Sequence, residues 1–427
     1  MRIRDGISTL RSMKISPSLI KGRTKIFLEN EQNRVFLSYA GLQVLFHAAL
    51  SIGNYLTVFL QQSGFTPSQV GMINALNAAI SIFATPFWGA ASDRIRSIRK
   101  IVIICVIGML VTFPLIPMSA GATIFGISLV YLIVPAAHFF KNPAISLVDN
   151  WIVRTVNERR MNYGSIRGLG SLFFALTGFL MGMILPKIGV RATFFLSPVL
   201  LIPFLILSIR TKSDAIKGKK LSMREMGVDR LFKNYSYVSH LIFSVCVSIS
   251  LNGAGVFMPY LITSIGADSA QFGFITGYVA LIEVPMLMFL SGYLRRKFPL
   301  RSMLLMSGVF FGIELILDSF AGALWQLVLI STLRGLGNGL FIAAQGNYIY
   351  SMAPDELKAT AQMLNSALCS VAAIVGILMG GALIGAVDIG VLYVILGIVA
   401  AAGTLLYLVS CHLGKKGLKI DTDGKLT

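Results

Sequence analysis

Long apolar blocks, separated by short polar joints, run through the chain from about residue 35 to residue 411. The apolar residues do not recur every three or four positions along one stripe, as they do in a helix that lies on a water-covered core. They fill whole segments. A helix rises 1.5 Å per residue, so about 20 largely apolar residues cross the hydrocarbon of a bilayer. Twelve segments qualify: 35–60, 69–92, 100–119, 123–147, 166–185, 193–209, 238–263, 271–294, 302–319, 323–351, 360–384 and 389–411. The fourth can run on past Asp149 toward Val156. The pattern predicts an all-α polytopic membrane protein with twelve transmembrane helices.

Composition agrees. Of 427 residues, 55% are hydrophobic and 13% are charged, against about 25% charged in soluble domains. The formal charge of +19 would suggest nucleic acid in a soluble protein. Its distribution argues otherwise. Arg94, Arg96, Arg99 and Lys100 fall in one joint, Arg154, Arg159 and Arg160 in another, and Arg295, Arg296, Lys297 and Arg301 in a third. The joints near 64–68, 119–122, 265–270, 320–323 and 385–388 carry no Lys or Arg; Lys187 and Arg191 break the alternation. Positive joints stay in the cytoplasm. Both termini are therefore placed inside, in a plasma (inner) membrane, and the charge reads as topology plus attraction to anionic lipid, with no nucleic-acid partner. The leading segment, with Arg2, Arg4, Arg11, Lys14, Lys21, Arg23 and Lys25, reads as a basic tail near lipid headgroups. The first apolar block is too long for a signal peptide and reads as the first span. Cys105, Cys246, Cys369 and Cys411 lie inside spans without metal spacing, so neither a metal nor a disulfide is expected.

The chain repeats itself. Gly64-Phe-Thr-Pro-Ser-Gln69-Val-Gly71 opens the second span, and Gly266-Ala-Asp-Ser-Ala-Gln271-Phe-Gly273 opens the eighth, 202 residues later. The expected organisation is a tail at 1–33, a six-helix bundle at 34–209, a cytoplasmic linker at 210–234, a second bundle at 235–412 and a tail at 413–427. Parallel repeats of this kind place a substrate site at their interface.

Ionised side chains inside spans are expensive and need a partner or water. Asp149 and Arg167, 18 residues apart on consecutive spans, point to a polar cavity between them. They read equally as a site or as a structural pair at the membrane interface. Glu283 is deeper and has no local partner, which favours function. Glu314 and Arg334 can neutralise one another, and Asp318 lies near them. Asn54, Asn74, Asn77, Asn252, Gln345 and Asn347 suit a hydrated cavity or interhelical hydrogen bonds. His47 and His138 read as packed residues.

Gly89-Ala-Ala-Ser-Asp93-Arg94, followed by Arg99-Lys100, resembles the loop signature of the major facilitator superfamily. The resemblance implies a conformational latch at Gly89, Asp93 and Arg94, in which the glycine permits close helix packing. The second copy, Gly292-Tyr-Leu-Arg295-Arg296-Lys297, lacks the Asp. Tyr163-Gly164-x-x-Arg167-x-x-Gly170 resembles the narrower branch of lactose permease and the phenylpropionate-type permeases. That resemblance implies that Asp149 pairs with Arg167 and binds substrate, that Phe174 stacks on a sugar, and that Glu283 faces the cavity. Phe174 reads on its own as a lipid- or core-facing ring. The chain departs from the branch where Glu314 stands at an arginine position, Arg334 at a histidine position, and Gly337 in place of the proton-carrying carboxylate. Coupling then falls to Glu283, Glu314 or Asp318, with Arg334.

No Walker loop, His-Glu-x-x-His or Gly-x-Ser-x-Gly string is present. The expectation is a secondary transporter, not an enzyme, without cofactors. It would act as a monomer on a small polar, sugar-like solute, with a proton, or sodium in its place, as the coupling ion. Efflux of drugs or sugars, and a receptor or lipid-handling role on the same fold, are the alternatives.

Overall fold

The computed structural model describes residues 31–159, 161, 163–211, 229–286, 291–354 and 357–417. Most of the expected linker and both expected tails lie outside them. The N-terminal half contains α1 (Glu31–Ile52), α2 (Leu56–Gln62), α3 (Pro67–Ile95), α4 (Ile98–Ser119), α5 (Val130–Glu158), α6 (Tyr163–Ile188) and α7 (Thr193–Arg210). After the short α8 (Asp229–Phe232) come α9 (Tyr235–Ser264), α10 (Phe272–Pro285), α11 (Ser291–Lys297), α12 (Leu300–Asp318), α13 (Leu324–Met352), α14 (Lys358–Leu383) and α15 (Ile389–Gly417). Among the described residues, ten helices are long and apolar enough to cross a membrane. The fourth and eighth positions complete the twelve. The fourth, α5, carries His138, Lys141, Asn142 and Asp149; the eighth, α10, has 14 residues. The two weakest membrane signals belong to helices that line the central cavity.

Local chemistry sets the helix ends. Pro67 starts α3 behind a capping box, in which Gln69 N–H donates to Thr66 Oγ1 at 3.3 Å and Thr66 N–H to Gln69 Oε1 at 2.9 Å. Ser97 and Asn234 cap α4 and α9 in the same sense. One expectation needs correction. Residues 123–128 do not belong to the fourth span. They form a hairpin pairing Thr123 with Ser128 and Ile124 with Ile127. Phe125 and Gly126 turn it with φ of 52° and 78°. β-branched residues around a glycine turn outweigh the apolar run.

The 202-residue repeat is a repeat of conformation. Gly64 and Gly266 both take positive φ, 84° and 77°. Gly64 N–H donates to Gln61 O and Phe65 N–H to Leu60 O; Gly266 and Ala267 make the matching bonds to Thr263 and Ile262. Both first spans thus end in the same left-handed glycine cap. Equivalent residues of the halves also meet: Gln61 Nε2 donates to Thr263 Oγ1 at 3.0 Å.

Close approaches between the halves gather at that end. Gln62 Nε2 donates to Ser269 Oγ, and Tyr260 O–H to Phe65 O. Gly178 and Gly182 of α6 pack on Gly273 and Gly277 of α10, and Gly71 of α3 on Gly381 of α14. Small residues let the backbones come this near.

Candidate substrate cavity

A cavity of ≈ 560 Å³ lies between the halves. The N-terminal half supplies His47 and Asn54 near the α1–α2 break, Asn74 of α3, His138 and Lys141 of α5, and Arg167, Ser171 and Phe174 of α6. The C-terminal half supplies Asn252 of α9, Thr276 and Glu283 of α10, and Arg334 of α13. Such a volume suits a small organic ligand.

Arg167 is held by a chain of bonds. Its Nη1–H donates to His47 Nε2 at 2.6 Å. A guanidinium only donates, so Nε2 accepts, and His47 Nδ1–H donates to Gln43 O at 3.0 Å. Gln43 Nε2–H donates in turn to Asp149 Oδ1 at 3.0 Å. The expected direct pair between Asp149 and Arg167 is therefore corrected. The two are joined through Gln43 and His47, and Asp149 stands behind the wall. Gly170 explains how α1 enters between them. A Cβ there would lie 2.7 Å from Gln43 Cγ and 3.2 Å from His47 Cγ. The glycine of the Tyr163–Gly170 string makes room for residues of another span.

Glu283 lines the cavity within electrostatic reach of Arg167. The cavity thus brings together a cation of one half and a carboxylate of the other. Phe174 lines the wall and packs on the core, and its carbonyl accepts from Ser51 Oγ at 2.9 Å.

Arg334 joins the wall of the second half to a buried ion cluster. Arg334 Nε lies 2.7 Å from Glu314 Oε1, and Arg334 Nη2 lies 3.9 Å from Asp318 Oδ2. Glu314 is 0% exposed and Asp318 1%. The exchanged charges on α12 and α13 do meet. Gly337 has no room for a side chain, because a Cβ would touch Phe311 Cε1 at 2.5 Å. The Phe311 ring fills the space beside Gly337.

At the far end of α3, Asp93 and Arg94 are exposed, and Arg96 closes the helix with φ of 53°. Gly89 departs from the expected close packing: a Cβ there would meet nothing within 4 Å. His47, Gln43, His138 and Lys141 were not expected in or behind the cavity. Lys141 carried a signal, as a lysine placed deep within a predicted span.

Removing His47 tests the chain of bonds. His47→Ala leaves a guanidinium N–H without its acceptor, and hydrogen bonds to charged groups contribute about 1.5–3 kcal/mol. The expected result is a lower unfolding temperature in detergent, with partial recovery in His47→Gln, whose amide oxygen can accept.

Two halves of membrane helices around a polar cavity that collects charged groups from both define a solute transporter of the major facilitator type. Residues 36–395 match the MFS_1 like family, and the chain belongs to it. It is 26% identical over 414 residues to the uncharacterized transporter YwbF of Bacillus subtilis, covering 88% of this chain and 97% of that one. It is 24% identical over 371 residues to a maltose permease of Geobacillus stearothermophilus, covering 86% and 91%. The multidrug resistance protein MdtG of Citrobacter koseri is 22% identical over 347 residues, covering 77% and 82%. Among solved structures, the nucleoside transporter NupG superimposes with a TM-score of 0.74 at 15% identity, over 88% of this chain and 99% of that one. The fold is shared with that structure.

Proposed function

We propose that this protein is a secondary active transporter that moves a small polar organic solute through the central cavity by alternating access, with a proton as the coupling ion. The observation that carries the reading is that Arg167 of one half and Glu283 of the other line one cavity. A solute bound there touches both halves, so it can bias how they pack. The basic joints favour cytoplasmic termini; the end that carries Gly64 and Gly266 is then the outer one, and the close contacts between the halves there support an inward-facing reading. Gly89, Asp93 and Arg94 then lie at the cytoplasmic end, where a latch between states would act. The maltose permease and the Tyr163–Gly170 string support a site of the lactose-permease kind. The likeness to MdtG supports export as a second direction.

Two carboxylates share one guanidinium in the Glu314–Asp318–Arg334 cluster. One proton on either carboxylate balances its charge, so the cluster can hold a proton in one state and release it in the other. Glu283, which lines the cavity itself, is the candidate to test first. Glu283→Gln mimics the protonated side chain. In proteoliposomes it is expected to exchange solute across the membrane but to fail at accumulation driven by a pH gradient. Normal accumulation by Glu283→Gln would move the coupling to Glu314 or Asp318. A wild-type protein indifferent to a proton gradient would point to sodium coupling or to facilitated diffusion.

A further inference from the structure

The cations of the cavity are not equally matched. Arg167 donates to His47 Nε2 and shares the cavity lining with Glu283, and Arg334 is held by Glu314 and Asp318. Lys141 stands apart. Its ammonium makes one hydrogen bond, to the Gly53 carbonyl at 3.4 Å, and no ion pair among the described residues. That carbonyl lies at the break between α1 and α2, so Lys141 also serves the C-terminal end of α1, where a cation is favoured. An ammonium has three donors, and two are left for the cavity. His138, one turn earlier on α5, lines the same cavity and adds no negative charge.

We propose that the solute is an organic anion whose charged oxygen group docks on Lys141. This rests on the transporter reading above and narrows its substrate class. A neutral sugar would leave the lysine's charge uncompensated in a confined space, where screening by salt is weak. An anion supplies the missing charge and accepts from the two free donors, in charge-assisted hydrogen bonds of the stronger kind. Asn252 and Thr276 of the second half can then serve the uncharged part of the molecule. Carboxylate and phosphate share this chemistry.

The test is a single cysteine in the cavity. Asn252→Cys, with Cys105, Cys246, Cys369 and Cys411 replaced, is treated with an anionic sulfonatoethyl or a cationic trimethylammonioethyl methanethiosulfonate. The ratio of the two rates, normalised to a free thiol in solution, reads the local charge. The anionic reagent is expected to be favoured. Lys141→Gln should lower the ratio by roughly tenfold, and Lys141→Arg should keep it. A ratio favouring the cationic reagent, or one unchanged by Lys141→Gln, overturns the inference. Added D-glucuronate, D-glucose 6-phosphate and D-glucose separate the ligand classes by protection of the cysteine. Protection by either anion, lost in Lys141→Gln, supports the inference and tells carboxylate from phosphate. Protection by D-glucose that survives Lys141→Gln overturns it and leaves the transporter reading intact.

Discussion

Arg334→Ala is expected to cost about 3–5 kcal/mol, because it strands two buried carboxylates without their cation. Glu314 and Asp318 are almost wholly removed from solvent, and no other cation lies within ion-pair distance of them among the described residues. Glu314→Ala should be damaging in the opposite sense, since a guanidinium loses its closest partner at 2.7 Å. The double change removes both ends of that contact. It should therefore be less destabilising than the sum of the two, by about 0.5–3 kcal/mol. Folded yield and unfolding temperature in detergent measure the cycle. Additive effects would show that the 2.7 Å contact contributes nothing to stability.

Gly273→Leu is expected to stop turnover without unfolding the protein. A Cβ at Gly273 would run into the Tyr55 hydroxyl and the Gly178 carbonyl, so the side chain cannot fit while α6 and α10 touch. Overpacking typically costs about 1–3 kcal/mol. Only the state closed at the Gly64–Gly266 end carries that cost. A penalty of this size shifts the balance between states by roughly 5–150-fold. Spin labels on the exposed Ser68 and Ser264, one in each half near that end, should move apart in Gly273→Leu. An unchanged distance with full transport would mean that the glycine contact is not part of the cycle.

The spans were legible because a bilayer demands long apolar helices and leaves few alternatives. The hairpin at 123–128 was not, since a short apolar run fits a strand as well as a helix. The break at Gly53–Tyr55 was hidden inside an apolar block for the same reason. The contact of Glu314 with Arg334 could be read, because two opposite charges buried on neighbouring spans have few other solutions. The Asp149–Arg167 link was misread as direct. Sequence adjacency of the fourth and fifth spans suggested a pair, whereas Gly170 lets α1 place Gln43 and His47 between them. Lys141 was overlooked among the many basic residues, although its depth within a span set it apart from the joints.

Alternating access requires one cavity that opens to each side of the membrane in turn. Its most direct measurement is the sidedness of labelling at Asn252→Cys in oriented vesicles, with a reagent that cannot cross the bilayer. Fast reaction is expected from the side of the basic joints in the otherwise unchanged protein. Slower reaction is expected from the opposite side, accelerated when Gly273→Leu is added. A cysteine reached from one side only, in both backgrounds, would contradict alternating access through this cavity.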